Sequence, residues 1–187
     1  DEFVRTLKGF LNMPLPAGNR LAFVSYSGAQ AIMSIDTTME QGLQTAKLAD
    51  STLARIGRVI ATSSKTKNPI DIFPDWLTHG YEKTITEVVK ALLDDQGVDG
   101  IVFISFAEKN PEVYQSLIDV VQSDRRKPVF ASLLGDSRDK AACERLLDTG
   151  GIPCCDFPEQ AVRVFARMRR YAGRQEPNSR FYHSSVL

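Results

Sequence analysis

Residues 100–105 enclose Ile101, Val102, Phe103 and Ile104 without a polar break. A strand with one face in water alternates apolar and polar side chains. An unbroken apolar run means burial on both faces, as in a parallel sheet covered by helices. Similar short runs stand at 21–24, 128–133 and 152–155, with a weaker one at 43–48. Stretches of helical character separate them. The spacing predicts helices over 3–11, 29–41, 51–59 and 111–123, and another around Ile85, Val88, Val89, Leu92 and Leu93 that Gly97 stops. A helix capped by Asp136 or Ser137 ends near Gly150, and Pro158 opens the last one. Gly42 suits the stop of the second helix, and Ser51 suits the cap of the third.

Strand and helix thus alternate five times, and right-handed crossovers force a parallel sheet with helices on both faces. The expected class is α/β, a three-layer α/β/α sandwich with a flavodoxin-like parallel sheet in the order 2-1-3-4-5. Residues 1–18 read as an N-terminal helix and a proline-rich linker, 19–173 as the domain, and 174–187 as a polar tail. The chain starts Asp1-Glu2-Phe3 rather than with Met, which reads as a piece of a longer protein. The long polar loop 62–74 interrupts the alternation, and loops of that length in compact domains are often functional.

Composition excludes several classes. Lys plus Arg and Asp plus Glu both count 23, so the chain lacks the basic excess of a nucleic-acid binder. The cluster Arg167, Arg169, Arg170 and Arg174 reads as a solvated helix end favoured by the helix dipole. Cys143, Cys154 and Cys155 form no disulfide framework, so a reducing cytoplasm is expected. Neither His79 nor His183 stands at metal-ligand spacing from them. No membrane segment or signal peptide is expected.

The chemistry concentrates after the first strand. Ser25, Tyr26, Ser27 and Gly28 form a small polar loop, and a helix follows. Strand, loop and helix in that order present backbone N–H groups to a phosphate. Gly28 admits close backbone approach, Ser25 and Ser27 bring hydroxyls, and the amides of Ala29 and Gln30 are expected free at the helix start. The competing reading makes Ser27 a helix cap only. The expected strand order sets this loop beside residues 106–110, so Asn110 joins Ser25, Ser27, Gly28, Ala29 and Gln30 as a candidate phosphate contact. Asn68 and Asp71, around Pro69, are expected to fix a turn that supports the loops.

Other chemistries fit less well. A hydrolase elbow needs glycine two residues before the nucleophile, where Ser25 stands. A phospho-accepting receiver needs an aspartate closing the 100–105 strand, and there is none. An independent FMN-binding module remains an alternative, with Phe106 and Phe157 as stacking candidates. His79 reads as a surface or capping residue.

An ordered series of short motifs runs from Pro14 to Tyr171. It comprises Pro16-Ala17-Gly18-Asn19-Arg20-Leu21-Ala22, the 25–31 loop, Gly42-Leu43, and Asn68-Pro69-Ile70-Asp71. It continues with Asp94-Asp95-Gln96-Gly97-Val98-Asp99, Lys127-Pro128-Val129, Gly151-Ile152-Pro153 and Pro158-Glu159-Gln160-Ala161-Val162. In order and spacing this series resembles one domain of the NDP-forming acyl-CoA synthetases, relatives of succinyl-CoA ligase. It looks like the second flavodoxin-like domain, which follows the histidine-bearing one.

The resemblance implies an enzyme that interconverts acyl-CoA, a nucleoside diphosphate and phosphate with free acid, CoA and the triphosphate through a phosphohistidine. It implies CoA, ATP or ADP and Mg as ligands of the whole enzyme, and phosphohistidine-bearing and ATP-grasp domains as partners within an oligomer. The family's Ser-His-Thr-Gly type segment and its ATP-grasp and CoA-binding motifs are missing here. The expected role is therefore to support phosphoryl transfer, with the isolated piece inactive. The family's first loop has the form Asn-x-Gly-Gly-x-Gly, whereas this chain has Tyr26 for the asparagine and Ala29 and Ala31 for two glycines. A related reading is the synthetase-like region of a protein acyltransferase.

Overall fold

The computed structural model describes residues 2–61, 66–73, 75 and 79–175. Expectations about 62–65, Pro74, the 76–78 segment and the tail from 176, with His183, lie outside the described residues. The chain opens with helix α1 (Glu2–Asn12), then β1 (Arg20–Ser25), α2 (Gly28–Glu40), β2 (Gln44–Thr45) and α3 (Asp50–Ile56). After β3 (Ile70–Asp71) come α4 (Tyr81–Asp94), β4 (Gly100–Phe106), a 3₁₀ turn (Pro111–Tyr114) and α5 (Gln115–Ser123). The last elements are β5 (Val129–Leu134), α6 (Ser137–Thr149), β6 (Cys154–Cys155) and α7 (Pro158–Gln175).

All described strand pairs are parallel, in the order β2-β1-β4-β5-β6. Apart from the added strand β3, this is the expected order. The centre is β1, β4 and β5, whose residues 21–24, 101–104 and 129–133 are fully buried, as the unbroken apolar runs require. Two-residue β3 lies inside the segment read as a loop. It pairs with the carboxyl half of β1 (Val24 with Ile70, Ser25 with Asp71), while β2 pairs with the amino half (Arg20 with Gln44, Leu21 with Thr45). Two short strands therefore share one edge of β1.

Local signals explain most helix ends. Gly42 adopts φ +70 after α2, a conformation that side chains disfavour. Asp136 Oδ1 accepts from Arg138 N at 3.0 Å and caps α6. The third helix starts earlier than expected: its cap is Ala49, not Ser51, because Asp95 Oδ2 accepts the Ala49 N–H at 2.9 Å and anchors the turn. The helix expected over 111–123 divides into a 3₁₀ turn and α5.

At the amino end of the sheet, Asp99 accepts from Arg20 N (2.9 Å), Nε (2.7 Å) and one terminal guanidinium nitrogen (2.8 Å). A Cβ on Gly18 would overlap the Asp99 carboxylate, so the linker needs glycine there. Helix α1 packs on α7: buried Gly9 lies against Val164 and Met168, and a Cβ there would meet Val164. Ion pairs Arg5–Asp156, Lys8–Asp148 and Glu2–Arg167 flank that contact. Among the described residues no helix is long and apolar enough to cross a membrane.

Candidate functional site

Strand β1 ends at Ser25 because its carboxyl end turns into α2 within two residues. The turn is held by its own side chains. Ser25 Oγ donates to Ser27 O (2.8 Å) and accepts from Ser27 N (3.0 Å). Ser27 caps α2, but its Oγ stands 3.5 Å from Gln30 N, at the limit of a hydrogen bond. Ala31 N donates to Ser27 O at 3.0 Å. Of the first helical N–H groups, those of Gly28 and Ala29 are left for outside partners, since a helix gives its first turn no internal acceptors. Gln30 N, expected free, is directed at the cap instead. The space where a Gly28 side chain would stand is open to 4 Å. Ala29 is exposed, whereas Ala31 is buried in α2's inner face. Only the first of these two methyls therefore stands near the open amides.

The loop after β4 meets this one, as the strand order requires. Tyr26 N donates to Ile104 O at 3.0 Å, and the Tyr26 ring meets Phe106 edge-on with centroids 5.8 Å apart. Phe73, from the loop after β3, contacts the other side of Tyr26 at 5.5 Å. Phe73 is 46% exposed and Phe106 43%, so the junction presents aromatic carbon to solvent. Asn110 faces its own loop: its Oδ1 accepts from Glu112 N at 3.1 Å and caps the 3₁₀ turn. Phe157 lies far along the chain before α7 and is 54% exposed.

Asn68 occupies the gap between the two short edge strands. Its Oδ1 accepts from Phe23 N at 2.9 Å, and its Nδ2 donates to Leu21 O (2.9 Å) and Ala46 O (3.0 Å). An amide side chain repeats the donor and acceptor of a peptide, so Asn68 continues the ladder of β1 where neither β2 nor β3 reaches. Asp71 Oδ1 accepts from Phe73 N at 3.0 Å, a short side-chain turn that places the Phe73 ring beside Tyr26.

Beneath the loops, Tyr81 and Ser105 hydroxyls are 3.0 Å apart, and Tyr114 donates to Phe106 O. Burial pushes the Tyr114 hydroxyl up to about 12 and raises Tyr81 further, so both stay protonated at neutral pH. Burial likewise raises all three thiols, Cys155 to about 12, which makes poor nucleophiles of them. His79 is half-buried on the rim of a groove between α4 and α5, well away from the 25–30 loop in sequence. Among the described residues no group of His, Cys, Asp or Glu could hold a metal ion.

Sequence alone singled out Phe106 but not the junction it forms with Tyr26 and Phe73. Its rings come from three segments 47 and 33 residues apart in sequence, Tyr26 to Phe73 and Phe73 to Phe106. In sequence, Tyr26 stands directly after β1 and Phe106 closes β4.

No protein-family model matches the chain. It is 28% identical over 181 residues to acetate–CoA ligase (ADP-forming) II of Archaeoglobus fulgidus, covering 94% of this chain and 26% of that protein. It is 30% identical over 168 residues to the alpha subunit of acetate–CoA ligase (ADP-forming) II of Pyrococcus furiosus, covering 87% of this chain and 35% of the subunit. It thus spans about a quarter to a third of the length of these relatives. The crystal structure of PH0766 from Pyrococcus horikoshii OT3 shares the fold with a TM-score of 0.80 at 23% identity, covering 92% of this chain and 40% of that one. A dinucleotide-forming acetyl-coenzyme A synthetase of Ca. Korarchaeum cryptofilum, solved with phosphate and ADP, matches with a TM-score of 0.75 at 22% identity over 92% of this chain and 38% of its own.

Proposed function

The chain's homologues are ADP-forming acyl-CoA synthetases, and on that ground we propose that it is the flavodoxin-like module of such an enzyme, supporting phosphoryl transfer. In this reading the whole enzyme is an acid–thiol ligase that converts acyl-CoA, nucleoside diphosphate and phosphate to acid, CoA and triphosphate. The phosphoryl group travels on a histidine of another domain, and CoA, nucleotide and Mg are held by the CoA-binding and ATP-grasp domains. The observation that carries the reading is the extent of the match, 94% of this chain against 26% of a relative. The relative that was solved with phosphate and ADP supports it further.

The module's contribution lies at the carboxyl end of β1. The Gly28 and Ala29 N–H groups and the dipole of α2 favour an anion presented from outside. Tyr26, Phe73 and Phe106 form an apolar rim on which another domain closes and from which it excludes water. Ser25, Ser27, Gln30 and Asn110 act by shaping the two loops, and Asn68 and Asp71 by holding β1 and Phe73 in place. Such donors stabilise charge without reacting.

The test is acetyl-CoA-dependent ATP formation from ADP and phosphate. It is measured with the purified chain alone and with an ADP-forming synthetase from which the equivalent module has been deleted. No turnover alone and restored turnover on mixing are expected. ATP formation by the chain alone overturns the reading. So does failure to restore activity where the synthetase's own excised module restores it.

A further inference from the structure

Helix α7 carries Arg163, Arg167, Arg170 and Arg174 at spacings of four, three and four residues. These positions fall on one stripe of an α-helix, about 16 Å long from end to end. Of the four, Arg167 pairs with Glu2 and donates to Thr6 Oγ1 at 2.9 Å. Arg163, Arg170 and Arg174 are exposed and form no ion pair with a described residue. The chain as a whole is neutral, so this basic stripe is a local excess. It is longer than a helix end needs, since the helix dipole acts only within the last turn.

The stripe runs between two helices that both turn large apolar side chains outward. On one side, α1 turns Arg5, Thr6, Lys8 and Gly9 toward ion pairs and packing with the domain, and leaves Phe3 (72%), Leu7 (45%) and Leu11 (73%) exposed. This inverts the usual arrangement, in which an amphipathic helix buries its apolar side. Phe10 meets Tyr171 of α7 edge-on at 5.3 Å, which carries the apolar surface up to the arginines. On the other side, α2 packs on α7 and buries Ala31, Ser34, Thr37 and Thr38, while Ile32 (61%) and Met39 (64%) face solvent.

We propose that this α1–α7–α2 face docks an acidic amphipathic helix of a protein partner, its carboxylates on the arginine stripe and its apolar residues against Phe3, Leu7 and Leu11. The charge calls for carboxylates or phosphates, and three features favour protein. The apolar flanks need apolar complements, and nucleic acid offers a charged backbone instead. Asp36 and Glu40 lie exposed on α2 and repel a uniformly anionic backbone or bilayer, whereas a helix confines its carboxylates to one stripe and presents other side chains to α2. Arginine with flanking apolar side chains is the composition enriched in the cores of protein interfaces.

The test is a fluorescence anisotropy titration of the purified chain with a labelled helical peptide. The peptide carries glutamate at every fourth or third position along one stripe and leucine along the adjacent one. Its glutamine counterpart, phosphatidylserine vesicles and single-stranded oligothymidine serve as competing probes. The glutamate peptide is expected to bind at least tenfold more tightly than the glutamine one, and more tightly at low salt. Arg170→Glu with Arg174→Glu, or Phe3→Ser with Leu7→Ser, should weaken it at least tenfold, while Arg138→Glu on α6 leaves it unchanged. All these side chains are exposed, and circular dichroism confirms that each variant folds. Equal binding of the two peptides, indifference to both double variants, or tighter arginine-dependent binding of vesicles or oligothymidine each overturn the proposal.

Discussion

The two ends of the central sheet are finished in opposite ways. At the amino end the charged groups are paired within the chain. Asp99 takes three hydrogen bonds from Arg20, Asp95 accepts from Ala49 N and Gly97 N, and Lys127 donates to the carbonyls that end α4. At the carboxyl end the caps after β4 and β5 are well formed. The one after β1, however, is stretched to 3.5 Å, the Gly28 and Ala29 amides have no acceptor within their helix, and aromatic rings stand half-exposed. An end that satisfies itself needs no second molecule. An end that leaves donors and apolar carbon open loses little stability by doing so and gains only when something covers it. In the proposed function this division leaves fold stability to one end and interaction to the other.

The largest expected effect tests the amino end. Asp99→Asn keeps the shape but removes the charge that Arg20 meets, and is expected to cost about 2 kcal/mol. The figure stays below that of a fully buried pair because the Arg20 side chain is 40% exposed. Burial pushes the Asp99 carboxyl up, but the Arg20 hydrogen bonds outweigh it and hold it below the ordinary carboxylate range. A depressed native value stabilises the fold above the unfolded value of about 3.9 and loses that contribution as pH falls through the native one. The stability gap between wild type and variant, from urea unfolding, should be full at pH 7 and shrink below about pH 4. A gap that ignores pH would separate the charge from the fold.

At the carboxyl end Phe106→Ala removes a half-exposed ring, with an expected stability loss of about 1 kcal/mol. The same change should lower the restored ATP formation of the mixed synthetase at least tenfold. A large drop in melting temperature with unchanged restoration would make the aromatic junction structural and erase the contrast between the ends.

How far these features were legible follows from how local they are. The unbroken run at 101–104 specified a buried parallel strand, and Gly42 and Asp136 marked helix ends, since each signal lies within a few residues of its effect. Strand β3 was not legible: two residues hold it only because Asn68 bridges β1 and β2 beside it. The orientation of α2 was equally hidden. Its apolar residues Ile32 and Met39 point outward because its inner side is lined by small side chains where α7 packs close. In the candidate site, the loop and its serines could be read from sequence. Phe106 was also a sequence candidate, but its meeting with Phe73 across Tyr26 required knowing which distant segments the sheet brings together.

The smallest effect compares two helix starts at the carboxyl end itself, one after β1 and one after β5. Ser27→Ala deletes the cap of α2, and Asp136→Ala deletes the cap of α6, where the bond to Arg138 N is 3.0 Å. A well-formed cap is worth about 1 kcal/mol, and the stretched one should be worth about half of that. For a chain of this size, thermal unfolding should then fall by about 1–2 °C for Ser27→Ala and about 2–4 °C for Asp136→Ala. Equal losses would mean that Ser27 Oγ is fully committed to the helix, which would make the 25–30 loop a cap and nothing more. A smaller loss for Ser27→Ala leaves the hydroxyl and the neighbouring Gly28 and Ala29 amides available to whatever covers that end of the sheet.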